Sequence, residues 1–218
     1  EYKNILVFVE ISEQKPADNS LELLGEANRL KQQLGKDTKV IAALLGNSIS
    51  DLADTLFCYG ADTVVTFNDK KLEIYRSDLY GEALAKIIEK QKPEIVLIGA
   101  TYMGSELAPT VAAKLKTGLA AHCTELRINE KRQLVQVVPA FGGKVLGDII
   151  TPNHRPQMAS VKTGITQKMK PREFTGTVED FHCDLNGFGD RIKIVGRHEE
   201  KTHGKSLHES DCIVGGGF

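Results

Sequence analysis

Apolar residues along the first hundred positions fall into two alternating patterns. The run "NILVFVE" (4–10) is apolar throughout and of strand length. It is followed by "ADNSLELLGEANRLKQQLG", where Leu21, Leu24, Ala27 and Leu34 recur at helical spacing and Gly35 ends the pattern. The alternation continues with "KVIAALLG" (39–46), a short helix in "SISDLADTLFCYGA", and "DTVVTF" (62–67). Next, "SDLYGEALAKIIEKQKP" places Leu79, Ala83, Ile87 and Ile88 on one helical face, and "EIVLIGA" (94–100) supplies another strand. Strands that are apolar throughout, each returned by an amphipathic helix, predict a parallel sheet covered on both faces. Right-handed crossovers make this an α/β three-layer sandwich with a mostly parallel, doubly wound sheet.

Beyond about residue 118 the pattern changes. β-rich pieces are separated by "NEKR", "FGGK" and "TPNHRP", with Asn129, Gly142 and Gly143 as turn residues, so additional β-hairpin strands are expected in this half. Short strands are also expected at Val161 to Ile165 and Ile192 to Val195. Residues 196–210 are charged and poor in large apolar groups, which reads as a linker. "DCIVGGGF" then reads as a buried strand opening into a glycine loop. A strand ending in glycines without its helix is half a βα unit, so the chain is expected to be the front part of a longer protein. The division predicted is an α/β domain over residues 1–200, with linker and first strand of a second domain over 201–218.

Composition narrows the function. The 218 residues are 41% hydrophobic and 26% charged, with a net charge of -1. No excess of Lys and Arg is available to displace counterions from a polyphosphate backbone, which argues against a nucleic-acid partner. No apolar run approaches the roughly 20 residues of a membrane span, so no membrane insertion is expected. The opening "EYKNILVFVE" enters a strand at once and reads as fold rather than leader. Cys58, Cys123, Cys183 and Cys212 are widely spaced without a C-x-x-C pair, which suits reduced, buried thiols in a cytoplasmic setting.

The stretch "GATYMGSELAPTVAAKL" (99–115) is half of a phosphate loop. Gly99 and Gly104 have the required spacing, but Ser105 and Glu106 follow where a Lys and a hydroxyl residue are needed. Glu106 suits the first turn of a helix starting near Ser105, with Pro109 close to that start. The favoured reading is packing: Gly104 turns the chain, and Ala108, Ala112 and Ala113 admit the helix to the sheet. A nucleotide at this strand end stays open, because ligands of open α/β sheets gather at the carboxyl ends of strands. His198, His203 and His208 recur every five residues, which does not match the spacing of metal ligands on a helix, so no metal site is expected. His122 with Cys123, and His182 with Cys183, are adjacent pairs that point to opposite sides of a strand and cannot act as base and nucleophile.

Two long stretches carry more specific information: "IGATYMGSELAPTVAAKLKTGLAAHCTEL" (98–126) and "PAFGGKVLGDIITPNHRPQMASVKTG" (139–164). In order and spacing they are similar to the signature segments of the electron transfer flavoprotein alpha-subunit family. The resemblance implies a nucleotide-alpha-hydrolase-like sandwich that serves mainly as scaffold and beta-subunit interface. It also implies FAD held by a C-terminal domain, with Gly216 and Gly217 as the flavin-proximal positions of this chain and the rest of the site beyond residue 218. It further implies a heterodimer whose beta subunit holds AMP or a second FAD. Electrons would come from flavoprotein dehydrogenases of the acyl-CoA type, as in fatty acid beta-oxidation, and pass to a quinone reductase or another acceptor. Such a protein is an electron carrier rather than an enzyme with a substrate of its own, cytoplasmic in a bacterium and in the mitochondrial matrix in a eukaryote. The chain departs from the family pattern at Val138 and Phe218, where Arg is usual, and at His122, where Asp is usual. The alternative reading is an ATP- or AMP-binding regulatory module of universal-stress type, using Glu10, Ile11 and Gly99 to Gly104.

Overall fold

A computed structural model describes residues 2–35, 37–188, 192, 194–196, 198 and 212–217. The expected alternation is present through the first half: β1 (Ile5–Val9), a two-residue hairpin of β2 (Ile11–Ser12) and β3 (Lys15–Pro16), α1 (Asp18–Leu34), β4 (Val40–Gly46), α2 (Ala53–Cys58), β5 (Thr63–Asn68), α3 (Ser77–Gln91), β6 (Ile95–Gly99) and α4 (Tyr102–Leu115). The second half contributes β7 (Leu119–Cys123), β8 (Glu125–Ile128), β9 (Leu134–Ala140), β10 (Val145–Ile149), β11 (Gln157–Val161) and β12 (Thr177–Asp180).

Seven strands form one sheet in the order β12-β5-β4-β1-β6-β11-β7, parallel throughout. Successive residues of β1 alternate between its two faces. Ile5, Val7 and Val9 enter a core shared with α1 and α2, while Leu6 and Phe8 enter a second core shared with α3 and α4. Every residue of β1, β4 and β6 is buried, as a strand covered on both sides requires. The chain leaves β1 toward β4 on one side, and leaves β6 toward β11 and β7 on the other. The winding therefore reverses between β1 and β6.

In the second half the expected hairpins are present as an antiparallel sheet in the order β10-β9-β8. Three elements differ from the sequence reading. β11 ends at Val161 instead of beginning there, because Gln157 to Val161 pair with β6 in full register and Gly164 turns the chain at φ 75°. β12 was not expected: its four residues are mostly exposed, and it exists because residues 165–176 carry the chain across the outer face of α1 and α2 to the free edge of β5. Glycines allow that crossing, since a β-carbon on Gly25 would stand 2.5 Å from the Gln167 carbonyl oxygen and one on Gly176 2.6 Å from the Asp62 carbonyl oxygen. Finally, residues 192, 194 and 195 belong to no strand, and 212–217 are exposed and without regular structure. An apolar extended segment becomes a strand only with a partner strand beside it, and the described residues offer none there.

Candidate functional site

Open doubly wound sheets place their ligands where the winding reverses, at the carboxyl ends of the strands. Here that point lies beyond Val9 and Gly99, whose strands pair directly. Glu10 follows β1 and is only 8% exposed. Its N–H donates to Ser20 Oγ at 2.8 Å, and its carbonyl accepts the Ala17 N–H at 2.8 Å, which seats it on the first turn of α1. Across the crevice, Thr101 is the N-cap of α4. Its hydroxyl accepts the Gly104 N–H at 3.0 Å and donates to Glu10 Oε1 at 2.6 Å. One hydroxyl thus satisfies an orphan helix donor and ties the helix to the neighbouring strand end.

The two glycines of the half phosphate loop serve this close approach. A β-carbon on Gly104 would stand 1.8 Å from the Gly99 carbonyl oxygen, and one on Gly99 would stand 2.3 Å from Asn19 Nδ2. The packing reading of the stretch holds, with two corrections. The helix starts at Tyr102, three residues earlier than expected, so Gly104 lies in its first turn rather than in a loop before it. Pro109 is consequently inside the helix, and Glu106 sits in the second turn. The carboxyl group at this helix start is Glu10, supplied by another strand. An N-cap rule applied to "TYMG" locates Thr101 from sequence alone; nothing in the sequence pairs it with Glu10.

Burial raises the Glu10 pKa above the ordinary 4.5, while the Thr101 hydrogen bond and then the Asn19 amide pull it down. Among the described residues no ion pair reaches Glu10. Asn19 Nδ2 lies close by, buried, without the alignment of a hydrogen bond to any acceptor. Above the crevice, the Tyr75 hydroxyl donates to the Met103 carbonyl at 3.3 Å. Burial raises its pKa first, and Glu106 and Glu10 raise it further. A separate open cleft of about 490 Å³ lies between α1, β8 and residues 165–167. Its Arg29 is already bonded to Glu26 and to the Leu126 carbonyl, so it presents no free cation.

The other residues singled out from sequence are dispersed. Gly216 and Gly217 are exposed, and a β-carbon on either would meet nothing within 4 Å, so no flavin cradle is built around them by the described residues. Cys123 is buried in the core with its thiol pushed up to about 12 by burial, while His122, exposed at φ 56°, donates its N–H to Ser160 Oγ across a bulge. Cys183 packs against the second core and burial raises its pKa, whereas His182 is exposed. His198 is exposed, and His203, His208 and Phe218 lie outside the described residues. Among the described residues, no group of three or more His, Cys, Asp or Glu is placed to hold a metal ion, and no helix is long and apolar enough to cross a membrane.

A parallel doubly wound sandwich with an appended antiparallel sheet, its switch-point crevice spanned by the Thr101–Glu10 hydrogen bond, defines an α/β scaffold. A family model for the electron transfer flavoprotein domain matches residues 5–185, and the chain belongs to that family. It is 37% identical over 218 residues to the electron transfer flavoprotein subunit alpha of Thermoanaerobacterium thermosaccharolyticum, covering all of this chain and 66% of that one. It is 36% identical over 219 residues to the electron transfer flavoprotein subunit alpha of Megasphaera elsdenii, again over the whole chain and 64% of the relative. A third relative, 36% identical over 214 residues, is the lactate dehydrogenase (NAD(+),ferredoxin) subunit LctC of Acetobacterium woodii, where 98% of this chain and 50% of the relative align. The chain thus spans just under two thirds of the length of the first two. These likenesses fit the electron-transfer reading and not the universal-stress alternative, whose expected site at Glu10, Ile11 and Gly99 to Gly104 is the crevice that the Thr101–Glu10 hydrogen bond spans.

Proposed function

We propose that this chain is the front portion of an electron transfer flavoprotein alpha subunit and acts as scaffold and beta-subunit interface. FAD is held by a domain that follows the linker, with Gly216 and Gly217 as its first backbone positions near the cofactor. The beta subunit carries AMP or a second FAD. Electrons enter from flavoprotein dehydrogenases of the acyl-CoA type and leave to a quinone reductase or another acceptor, in the cytoplasm of a bacterium or the mitochondrial matrix of a eukaryote. The boundary between the two domains falls near residue 200. The relatives' extra third of chain supports a further domain, and a relative named as a subunit of a dehydrogenase supports a multi-subunit setting.

The observation that carries the interface reading is the hairpin of β9 and β10. Phe141 is 82% exposed and Leu146 62%, and Val145, Ile149 and Ile150 are exposed as well. By register, Val145 and Ile149 share a face with Val138, while Leu146 shares the other with Pro139. Apolar side chains exposed on both faces of one hairpin and at its tip are unusual for an isolated domain and mark a protein contact. The beta subunit is its occupant in this reading.

The test is co-expression of the full-length protein with its beta subunit. A yellow heterodimer is expected, whereas residues 1–218 alone remain colourless. Phe141→Ser with Leu146→Ser weakens assembly by at least tenfold. A heterodimer that never retains flavin overturns the cofactor assignment, and one that assembles undisturbed by both substitutions overturns the interface.

A further inference from the structure

The crevice between β1 and β6 has the parts of a phosphate site. Two helices, of 17 and 14 residues, begin beside it, and the first-turn N–H groups and dipole of a helix favour oxygen acceptors. Gly99 and Gly104 keep the strand end and the helix start free of β-carbons. Asn19 contributes an amide nitrogen that is buried and turned toward the Glu10 carboxyl group. Each of these would suit an incoming phosphate oxygen.

The acceptor in this place is part of the chain. Glu10 is held on the first turn of α1 by Ser20 and Ala17, and its Oε1 takes the hydroxyl of the α4 cap, Thr101, at 2.6 Å. We infer that the Glu10 carboxyl group occupies the position of a nucleotide phosphate, clasps the starts of α1 and α4 together, and closes the crevice to phosphate-bearing ligands. Shortening this side chain therefore opens a phosphate site. Glu106, the carboxylate that the sequence sets against a phosphate, is exposed in the second turn of α4 and has no part in the exclusion. The inference is independent of where the flavin binds, since it concerns only β1, α1, β6 and α4.

The experiment compares thermal unfolding of the full-length protein and its Glu10→Ala and Glu10→Gln variants in inorganic phosphate, against potassium chloride of matched ionic strength. The wild type is expected to be indifferent to phosphate. Glu10→Ala melts lower in chloride and recovers with phosphate, saturably, by about 4 °C at roughly ten times the dissociation constant. Glu10→Gln, which still fills the crevice, gains no such response. Saturable stabilisation of the wild type overturns the inference, as does a folded Glu10→Ala that ignores phosphate or a Gln variant that responds as strongly. Should Glu10→Ala fold poorly, its refolding yield in phosphate against matched chloride serves as the readout. An increase supports the inference and an unchanged yield overturns it.

Discussion

Gln136 and Gln157 form a reciprocal clasp between the antiparallel sheet and the central sheet. Gln136 on β9 donates through Nε2 to the Met158 carbonyl of β11 at 3.0 Å, and Gln157 on β11 accepts the Leu134 N–H of β9 at 2.9 Å. Both side chains are fully buried. Each retains one unpaired atom, an acceptor on Gln136 and a donor on Gln157. The two sheets meet through polar groups in a buried interface, where a lost partner leaves a buried backbone group unsatisfied.

Gln157→Ala strands the Leu134 N–H and is expected to cost about 2 to 3 kcal/mol. Gln136→Ala costs a similar amount, and the double variant less than the sum, because the two act on one junction. Urea unfolding of the four species measures this. Strict additivity would show that the glutamines act separately.

Gly104→Ala forces a β-carbon to within 1.8 Å of the Gly99 carbonyl oxygen if nothing moves. Both groups are backbone, so the helix must shift away from the sheet, at a cost of about 3 kcal/mol or more. A variant that unfolds within a degree or two of the wild type would show that α4 moves freely.

Glu10 makes stability fall with rising pH. Its folded-state pKa lies above the ordinary 4.5, so the folded chain holds this proton more tightly than the unfolded chain. The contribution is complete below about 4.5 and is lost as pH rises through the raised value. The groups around the carboxyl are Thr101, Asn19, Ser20 and, farther off, Tyr75 and Glu106; none is a cation. Stability of the wild type relative to Glu10→Gln should therefore decline from pH 4 upward, and a flat or rising difference contradicts the sign.

Thiol labelling should separate the cysteines by burial. Cys212 is exposed and Cys123 fully buried, its thiolate disfavoured up to about 12. At mildly alkaline pH iodoacetamide should alkylate Cys212 in minutes and leave Cys123 untouched until the chain is denatured. Mass spectrometry of the peptides decides it, and early labelling of Cys123 would mean that the edge of the sheet opens.

Much of the fold is legible in the chain itself. Runs such as Ile5–Val9 and Val40–Gly46 are apolar at every position, and only a strand covered on both faces explains them. The same periodicity misplaces the start of α4, because Pro109 and Glu106 suggest a beginning that Thr101, through its bond to the Gly104 N–H, moves three residues earlier. Gln136 is a lone polar residue in "LVQVV", and nothing local tells that it is buried against β11. β12 has no pattern of its own, and its place depends on the free edge of β5.

The sequence by itself determined the alternating parallel architecture, the hairpins of the second half and the resemblance that the family match bears out. Those follow from local periodicity and contiguous motifs, which need no knowledge of which segments meet. Tertiary structure alone decided that Glu10 and Thr101, 91 residues apart, share one hydrogen bond at the reversal of the sheet, so that a half phosphate loop becomes a filled crevice. Side-chain partnership across a sheet is set by strand order and register, and those emerge only when the whole core is packed.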